Sequence, residues 1–337
     1  MNRNIISINH GSGGGMSREL IDNLFKKYFS NPILDRMDDA AVLECNTKKL
    51  AFTTDSFVVT PLFFEGGDIG KLAVCGTVND LSVMGARPMA ITAAFILEEG
   101  LDMSILEKVI QSMQETAKEA GVLIVAGDTK VVEHGNADKI YINTSGIGSI
   151  SEDINIGGAM AKPGDMILIN GPVGNHGIAV ITAREDLGFK TKIESDAAPL
   201  NKLIEGIMNA CGEIHVMRDA TRGGLATVLN EIAIQSNVGI EIFERDIPVE
   251  DQVVGVCDLL GLDPLYLANE GRIVTIVPEM AVDKVLNKMK ENKDGKGACV
   301  IGRVVDNTDR PVVILKTAGR GSRILDILAG EPLPRIC

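Results

Sequence analysis

The sequence predicts an α+β protein of two domains of similar size, and three observations carry that expectation. At 337 residues the chain exceeds the size at which a single hydrophobic core usually stops growing. Short apolar runs with strand periodicity alternate with helical spacing along its whole length. Gly157-Gly158 and Lys162-Pro163-Gly164-Asp165 form a cluster of turn formers near the middle, after which the same vocabulary starts again. The expected division is 1–150, 151–330 and a mobile tail, 331–337, that ends in Cys337.

In the first half a strand is expected at Ile5–Ile8, then the glycine run from Gly11 to Gly15. A helix follows with Ser17 as N-cap and Leu20, Ile21, Leu24, Phe25 and Tyr28 on one face. Strands are expected at Ala41–Glu44, Leu50–Val59, Ala90–Leu97, Val122–Ala126 and Lys139–Ile150, with helices at Asp68–Gly85 and Ser104–Ala120. In the second half, strands fit Met166–Asn170, Ile240–Phe243 and Arg272–Val277, and Cys299–Val305 with Val312–Leu315 reads as a strand pair. Helices fit Gly177–Asp186, Ala198–Cys211, Gly224–Gln235 and Met280–Glu291.

Charge and cysteine usage narrow the function classes. With 33 Lys and Arg against 46 Asp and Glu, the formal net charge is −13, which argues against nucleic acid as a partner. It leaves room for a nucleotide whose phosphates reach the carboxylates through divalent metal. The six cysteines are scattered, with no CxxC and no His at ligand spacing, so neither a disulfide framework nor a zinc site is expected. No apolar run approaches membrane-spanning length and the N-terminus has no signal-peptide core, so the expected location is the cytoplasm.

The chemistry-bearing residues recur in similar settings. Asp38-Asp39 precedes a strand, Asp55 ends the apolar run Leu50–Thr54, and Asp128 in Gly127-Asp128-Thr129-Lys130 follows a strand. Asp80 sits between Val78 and Leu81 in an apolar helix, where a carboxylate is costly to bury without a cation. Carboxylates from separate elements that converge on one point suit Mg²⁺, which keeps water and bridges to substrate phosphates. The glycines around Gly13 and Gly14 match neither a Walker A loop nor GxGxxG, but would serve as a lid. Arg218-Asp219-Ala220-Thr221-Arg222-Gly223-Gly224 leads into a helix whose free N–H groups favour an anion. Glu270 precedes a strand, and His176, in a glycine turn before a helix, is read as a capping residue.

Taken together, His10 to Gly15, Asp38-Asp39-Ala-Ala, Thr54-Asp55-Ser56, Gly76-Thr-Val-Asn-Asp-Leu-Ser-Val-Met-Gly-Ala86 and Gly127 to Val132 resemble the HypE family of hydrogenase maturation factors. Arg218 to Gly224, Asn269-Glu270-Gly271-Arg272 and the terminal Pro334-Arg335-Ile336-Cys337 extend the resemblance over essentially the whole chain. This family belongs to the PurM-like, AIR synthetase-related superfamily. The acidic motifs are shared across the superfamily, and the terminal motif narrows it to the family.

The resemblance implies a PurM-like two-domain fold and a homodimer in which the N-terminal sheets pack into a barrel-like interface near the ATP site. It implies ATP-dependent dehydration of an S-carbamoyl group on Cys337 to a thiocyanate, the source of cyanide for [NiFe] hydrogenase. A HypF-type carbamoyltransferase would load the thiol and a HypC–HypD-type complex would accept the cyanide. By the same resemblance Asp38, Asp55, Asp80 and Asp128 would hold Mg²⁺–ATP, with Asn79 shaping the site. Asp39, Thr129, Asp219, Thr221, Gly13 and Gly14 join the nucleotide set, and Lys130 and Glu270 are the two alternatives for the base. A selenophosphate synthetase would want a Cys near the lid, where this chain has Met16, and kinases of the superfamily have no use for a terminal thiol.

Overall fold

The structure is a computed structural model that describes residues 5–11, 15–36, 49–184, 191–307, 309–327, 333 and 335–337. The expected strand at Ala41–Glu44, together with Gly13, Gly14, Asp38, Asp39, Cys45, Pro332 and Pro334, lies outside the described residues.

The first half begins with a single bridge from Ile5 to Asp102 and a 3₁₀ turn at Ile8–Gly11, in place of the expected strand. Helix α1 (Gly15–Leu20) starts two residues ahead of Ser17, which therefore lies inside it, and runs through a π turn into α2 (Lys26–Phe29). Then come β1 (Lys49–Phe57), the two-residue strands β2 (Phe63–Phe64) and β3 (Gly67–Asp68), α3 (Ile69–Val83) and β4 (Arg87–Glu98). Helix α4 (Met103–Ala120), β5 (Leu123–Val132) and β6 (Ile140–Ile150) complete this half. Helices α3 and α4 start where carboxylates can cap them: Asp68 accepts from Gly70 and Lys71 N–H, and Asp102 from Ser104 N–H.

The second half runs β7 (Asp165–Ile169), α5 (Asn175–Thr182), α6 (Asn201–Ala210), β8 (Val216–Asp219), α7 (Gly224–Ser236) and β9 (Gly239–Phe243). It continues through α8 (Asp251–Leu260), β10 (Ile273–Pro278), α9 (Val282–Glu291), β11 (Cys299–Val305), β12 (Val312–Lys316) and β13 (Ser322–Leu325).

Two large sheets result, a four-stranded one in the order β1-β6-β4-β5 and a seven-stranded one in the order β13-β12-β9-β11-β7-β10-β8. The expected pairing of β11 with β12 does not form. Strand β9 lies between them, antiparallel to β11 and parallel to β12. Strand β5 runs six residues past Ala126, so Asp128 and Lys130 sit on a strand and not after one. Pairing with β4 from Ala90 to Glu98 supplies the ladder that Gly127 and Asp128 would not form on propensity alone.

Helix α3 is the centre of the molecule. Apolar on every side, it buries residues all round its circumference, between the four-stranded sheet and the β8 edge of the larger one. One hydrophobic cluster covers α3 and α4 and takes in Ile178 and Leu267 of the second half together with Leu333 and Ile336 of the tail. The two halves and the tail therefore share a core. The other face of the four-stranded sheet is open, with Leu50 51%, Phe52 75%, Ile96 44% and Leu123 45% exposed. Among the described residues no helix is long and apolar enough to cross a membrane.

Candidate active site

The four-stranded sheet and α3 place the first two carboxylates. Along β1, the residues that alternate toward α3 include Thr53 and Asp55. Thr53 Oγ1 donates to Asp80 Oδ2 at 2.8 Å, which ties β1 to the last turns of α3. Asp55 points the same way: a Cβ added at Gly76 would lie 3.0 Å from its Oδ2. Gly76 thus makes room on α3 for the Asp55 carboxylate.

The larger sheet brings its groups to the same place from the other side. Strand β8 ends in Arg218 and Asp219, and the turn Ala220 to Gly223 leads into α7. Gly224 takes a positive φ of 64°, and a Cβ there would stand 2.5 Å from the Leu267 carbonyl, so the turn closes tightly onto the segment before Glu270. Asn269 locks that segment, accepting from Gly174 N–H and donating to the carbonyls of Ala220 and Leu267. Glu270 follows, 3% exposed.

The tail completes the wall. Ile336 and Leu333 are buried, and the Cys337 side chain hydrogen-bonds the Glu270 carboxyl. Asp55, Asp80, Asp219, Glu270, Arg218, Arg222 and Cys337 all line one cavity of about 250 Å³, with Ser56 and Thr221 beside them. Five side-chain carboxylates, these four and Glu231 of α7, share this space with two guanidiniums; Arg218 pairs with Glu231, and Arg222 Nη2 lies 3.9 Å from Asp55 Oδ1.

That ratio sets the electrostatics. Burial raises the Asp55 carboxyl above its usual range, opposed by the Ser56 N–H and by Arg222. Burial likewise raises Asp80, with Thr53 and Arg218 opposing and Asp55 adding to the rise. Asp219 is pushed up to about 7, by burial first and by the Asp80 charge second. Glu270 is raised well above the carboxylate range by burial, then by Asp196, Asp219 and Asp55, and its Oε1 is buried with no partner among the described residues. Carboxylates crowded beyond what two arginines neutralise fit a hard divalent cation. Among the described residues no three His, Cys, Asp or Glu side chains form a metal cage on their own. That donor set suits Mg²⁺, which keeps waters and leans on substrate phosphates.

Other residues singled out in the sequence lie elsewhere. Asp128, Thr129 and Lys130 line a different cavity, of about 240 Å³, under α1 and α2 with His10, Phe25 and Phe95. Asn79 is 2% exposed and its amide is spent on backbone: Nδ2 donates to Ala198 O at 3.0 Å and Glu270 O at 3.4 Å, and Oδ1 accepts from Leu200 N–H at 2.8 Å. It holds the Glu270 backbone against α3 and does not line the cavity. Cys75 and Cys257 are buried and Cys211 and Cys299 half-buried, all four as free thiols.

Comparison with known proteins gives this arrangement a family. Residues 37–150 match the AIR synthase related protein N-terminal domain, and 162–314 the AIR synthase related protein C-terminal domain. The carbamoyl dehydratase HypE of Rhodobacter capsulatus is 48% identical over 335 residues, covering 98% of both chains. The chain belongs to the HypE carbamoyl dehydratase family. Its PurM-like fold follows with that membership. A crystal structure of HypE in complex with ATP is similar with a TM-score of 0.95 and 49% identity, covering 98% of this chain and 99% of that one. The HypE of a HypE–HypF complex is similar with a TM-score of 0.80 and 52% identity, over 92% of this chain and 99% of that one.

Against this HypE frame, the sequence reading missed the residues that hold the tail. His176 is not a cap; it lies inside α5, fully buried, with Nε2 2.9 Å from the Ile336 carbonyl. Arg184 Nη2 and Thr60 N–H both donate to the Arg335 carbonyl at 3.2 Å, and Arg335 Nη1 pairs with Asp138 at 2.6 Å. No local motif marks these positions, because their common feature is contact with a segment about 150 to 280 residues away.

Proposed function

We propose that the chain is an ATP-dependent dehydratase that turns an S-carbamoyl group on its own Cys337 into a thiocyanate, for the iron centre of [NiFe] hydrogenase. The observation that carries this is the shared cavity of Cys337, Glu270 and the carboxylates Asp55, Asp80 and Asp219. A thiol tethered at the chain end, placed beside a buried carboxyl and a cluster suited to metal–phosphate, is arranged for chemistry on that thiol.

The overall change is R–S–C(=O)–NH₂ + ATP → R–S–C≡N + ADP + phosphate + H⁺. An amide oxygen leaves poorly, and Mg²⁺–ATP supplies the phosphoryl group that converts it to phosphate. Asp55 and Asp80 are the residues to hold the divalent cation, with Asp38 for the resemblance-based remainder of the set. Arg218 and Arg222 would offset charge on the transferred group. Glu270 is the base, because its carboxyl already touches the Cys337 side chain and so lies within reach of an N–H on a carbamoyl group carried there. Lys130, on another cavity, does not share that position within one chain.

The functional form in this reading is a homodimer. Its interface is the open face of the four-stranded sheet, where Phe52, Leu50 and Ile96 stand exposed. A HypF-type carbamoyltransferase loads the thiol and a HypC–HypD-type complex removes the cyanide. Intact-mass spectrometry tests the chemistry: carbamoylated protein should lose one water from Cys337 only when ATP and Mg²⁺ are both present. A carbamoyl mass that survives ATP hydrolysis would sink the reading.

A further inference from the structure

Every polar atom of the His176 ring is committed. A carbonyl oxygen can only accept, so at 2.9 Å from Ile336 O the Nε2 atom carries the proton. Nδ1 is then a bare acceptor, and Ser195 Oγ donates to it at 2.8 Å while itself accepting from Ala197 N–H at 3.1 Å. The ring stands edge-on to Phe64, with centroids 5.5 Å apart, and no part of it reaches solvent. Burial lowers its proton affinity, against the nearby Asp196, which keeps this single neutral tautomer in place.

The atom that His176 grips belongs to the residue before the reactive cysteine. Fixing the Ile336 carbonyl fixes the peptide that leads to Cys337 and so aims the thiol at Glu270. The tail's contacts with charged side chains, Arg335 with Asp138 and Arg184 Nη2 with the Arg335 carbonyl at 3.2 Å, are solvent-exposed and therefore hold more weakly.

We propose that His176 is the positioning residue that docks the tail: as an Nε2–H donor locked by Ser195, it holds the Ile336 carbonyl and thereby sets Cys337 against Glu270. This rests on the proposed chemistry at Cys337, but its test does not need that chemistry to run. The full chain, without nucleotide, is alkylated with iodoacetamide, and the rate at Cys337 is read by mass on the Lys-C peptide 317–337.

Release of one net hydrogen bond should make Cys337 about fivefold more reactive in His176→Ala. His176→Gln places an amide N–H near the original Nε2 and should return the rate to within about twofold of the parent. Ser195→Ala removes the lock on the tautomer and should raise the rate as well. An unchanged rate in His176→Ala overturns the proposal, as does a His176→Gln rate equal to that of His176→Ala. ATP affinity and melting temperature identify any variant that has lost its fold. If His176→Ala is such a variant, the Ser195→Ala rate decides, and no increase there overturns the assignment. A parent chain that never dehydrates its carbamoyl group would refute the proposed function and leave the docking result standing.

Discussion

Asp55 and Asp128 lie on opposite edges and opposite faces of one four-stranded sheet. The row Asp55–Thr144–Ala93–Gly127 and its neighbour Ser56–Asn143–Ala94–Asp128 are set by backbone pairing, so Asp128 shares a face with Ser56 and not with Asp55. Three inter-strand steps separate them, about 14 Å. Within one chain they cannot bind the same ion. A second copy packed on the open face would bring its own Asp128 and Lys130 toward the first copy's cavity. If so, mixing inactive Asp55→Ala and Asp128→Ala proteins, after subunit exchange, restores about a quarter of parent dehydration, because half the dimers carry one intact site of two. Activity that stays at the level of the separate variants places all the ligands in one chain.

The proposed dimer interface would depend on apolar contact at Phe52, the more exposed of the two large apolar side chains, Leu50 and Phe52, on the open face of β1. Phe52→Asp puts a charge in the middle of that face and should convert the dimer to a monomer in light scattering. The melting transition should be little changed, since the side chain is 75% exposed in the single chain.

Asp80 should be indispensable for nucleotide and dispensable for the fold. It is half-buried and takes one side-chain hydrogen bond, from Thr53, while its charge sits among like charges. Asp80→Ala removes that repulsion, so stability should hold or rise slightly. ATP affinity in Mg²⁺ should fall by about 100-fold or more, the scale of losing a contact to a metal–phosphate unit. Calorimetric titration of ATP with and without Mg²⁺ checks both halves of the statement.

How much of this was legible in the sequence depends on how local each signal is. Asp55, Asp80, Asp219 and Glu270 were visible because each stands in a motif of its own, and the cavity brings those four together. That Asp128 stands apart was not legible, since a carboxylate at a strand end looks the same whichever face the register turns it to. The insertion of β9 between β11 and β12 was hidden for a similar reason: pairing partners distant in sequence decide it. Strand β8 and helix α8 were missed on length and composition. Val216–Asp219 holds only two apolar residues, and Gly255 weakens the helical sequence pattern of Asp251–Leu260, which nevertheless forms an unbroken helix.

Asp138 separates surface attraction from buried docking. Its ion pair with Arg335 is short, but the two side chains are 34% and 54% exposed, so solvent screens it. Arg335 also adopts a positive φ of 56°, a conformation held by the two hydrogen bonds to its carbonyl. Asp138→Ala should therefore speed Cys337 alkylation only about two- to threefold, and the effect should vanish in 0.5 M salt. An increase as large as that of His176→Ala would shift the main hold on the tail from the buried histidine to the surface.

Glu270 gives the pH dependence its sign. Burial and the neighbouring carboxylates raise its proton affinity in the folded chain well above that of an exposed glutamate. The folded state thus binds this proton more tightly than the unfolded state does, and the stability so gained is present at low pH. It is lost as the pH rises from the ordinary carboxylate range through the raised value. Glu270→Gln, neutral at every pH, should melt at a temperature that varies less over that window, and should exceed the parent at its upper end. Catalysis runs the other way, because a base must be ionised to accept the N–H proton. Single-turnover dehydration in the parent should climb as Glu270 deprotonates, while Glu270→Gln loses about 10²- to 10⁴-fold at all pH values and keeps its ATP affinity. A parent rate that is flat where its stability falls would assign the proton transfer to another group, with Lys130 from a second copy as the first to test by Lys130→Met.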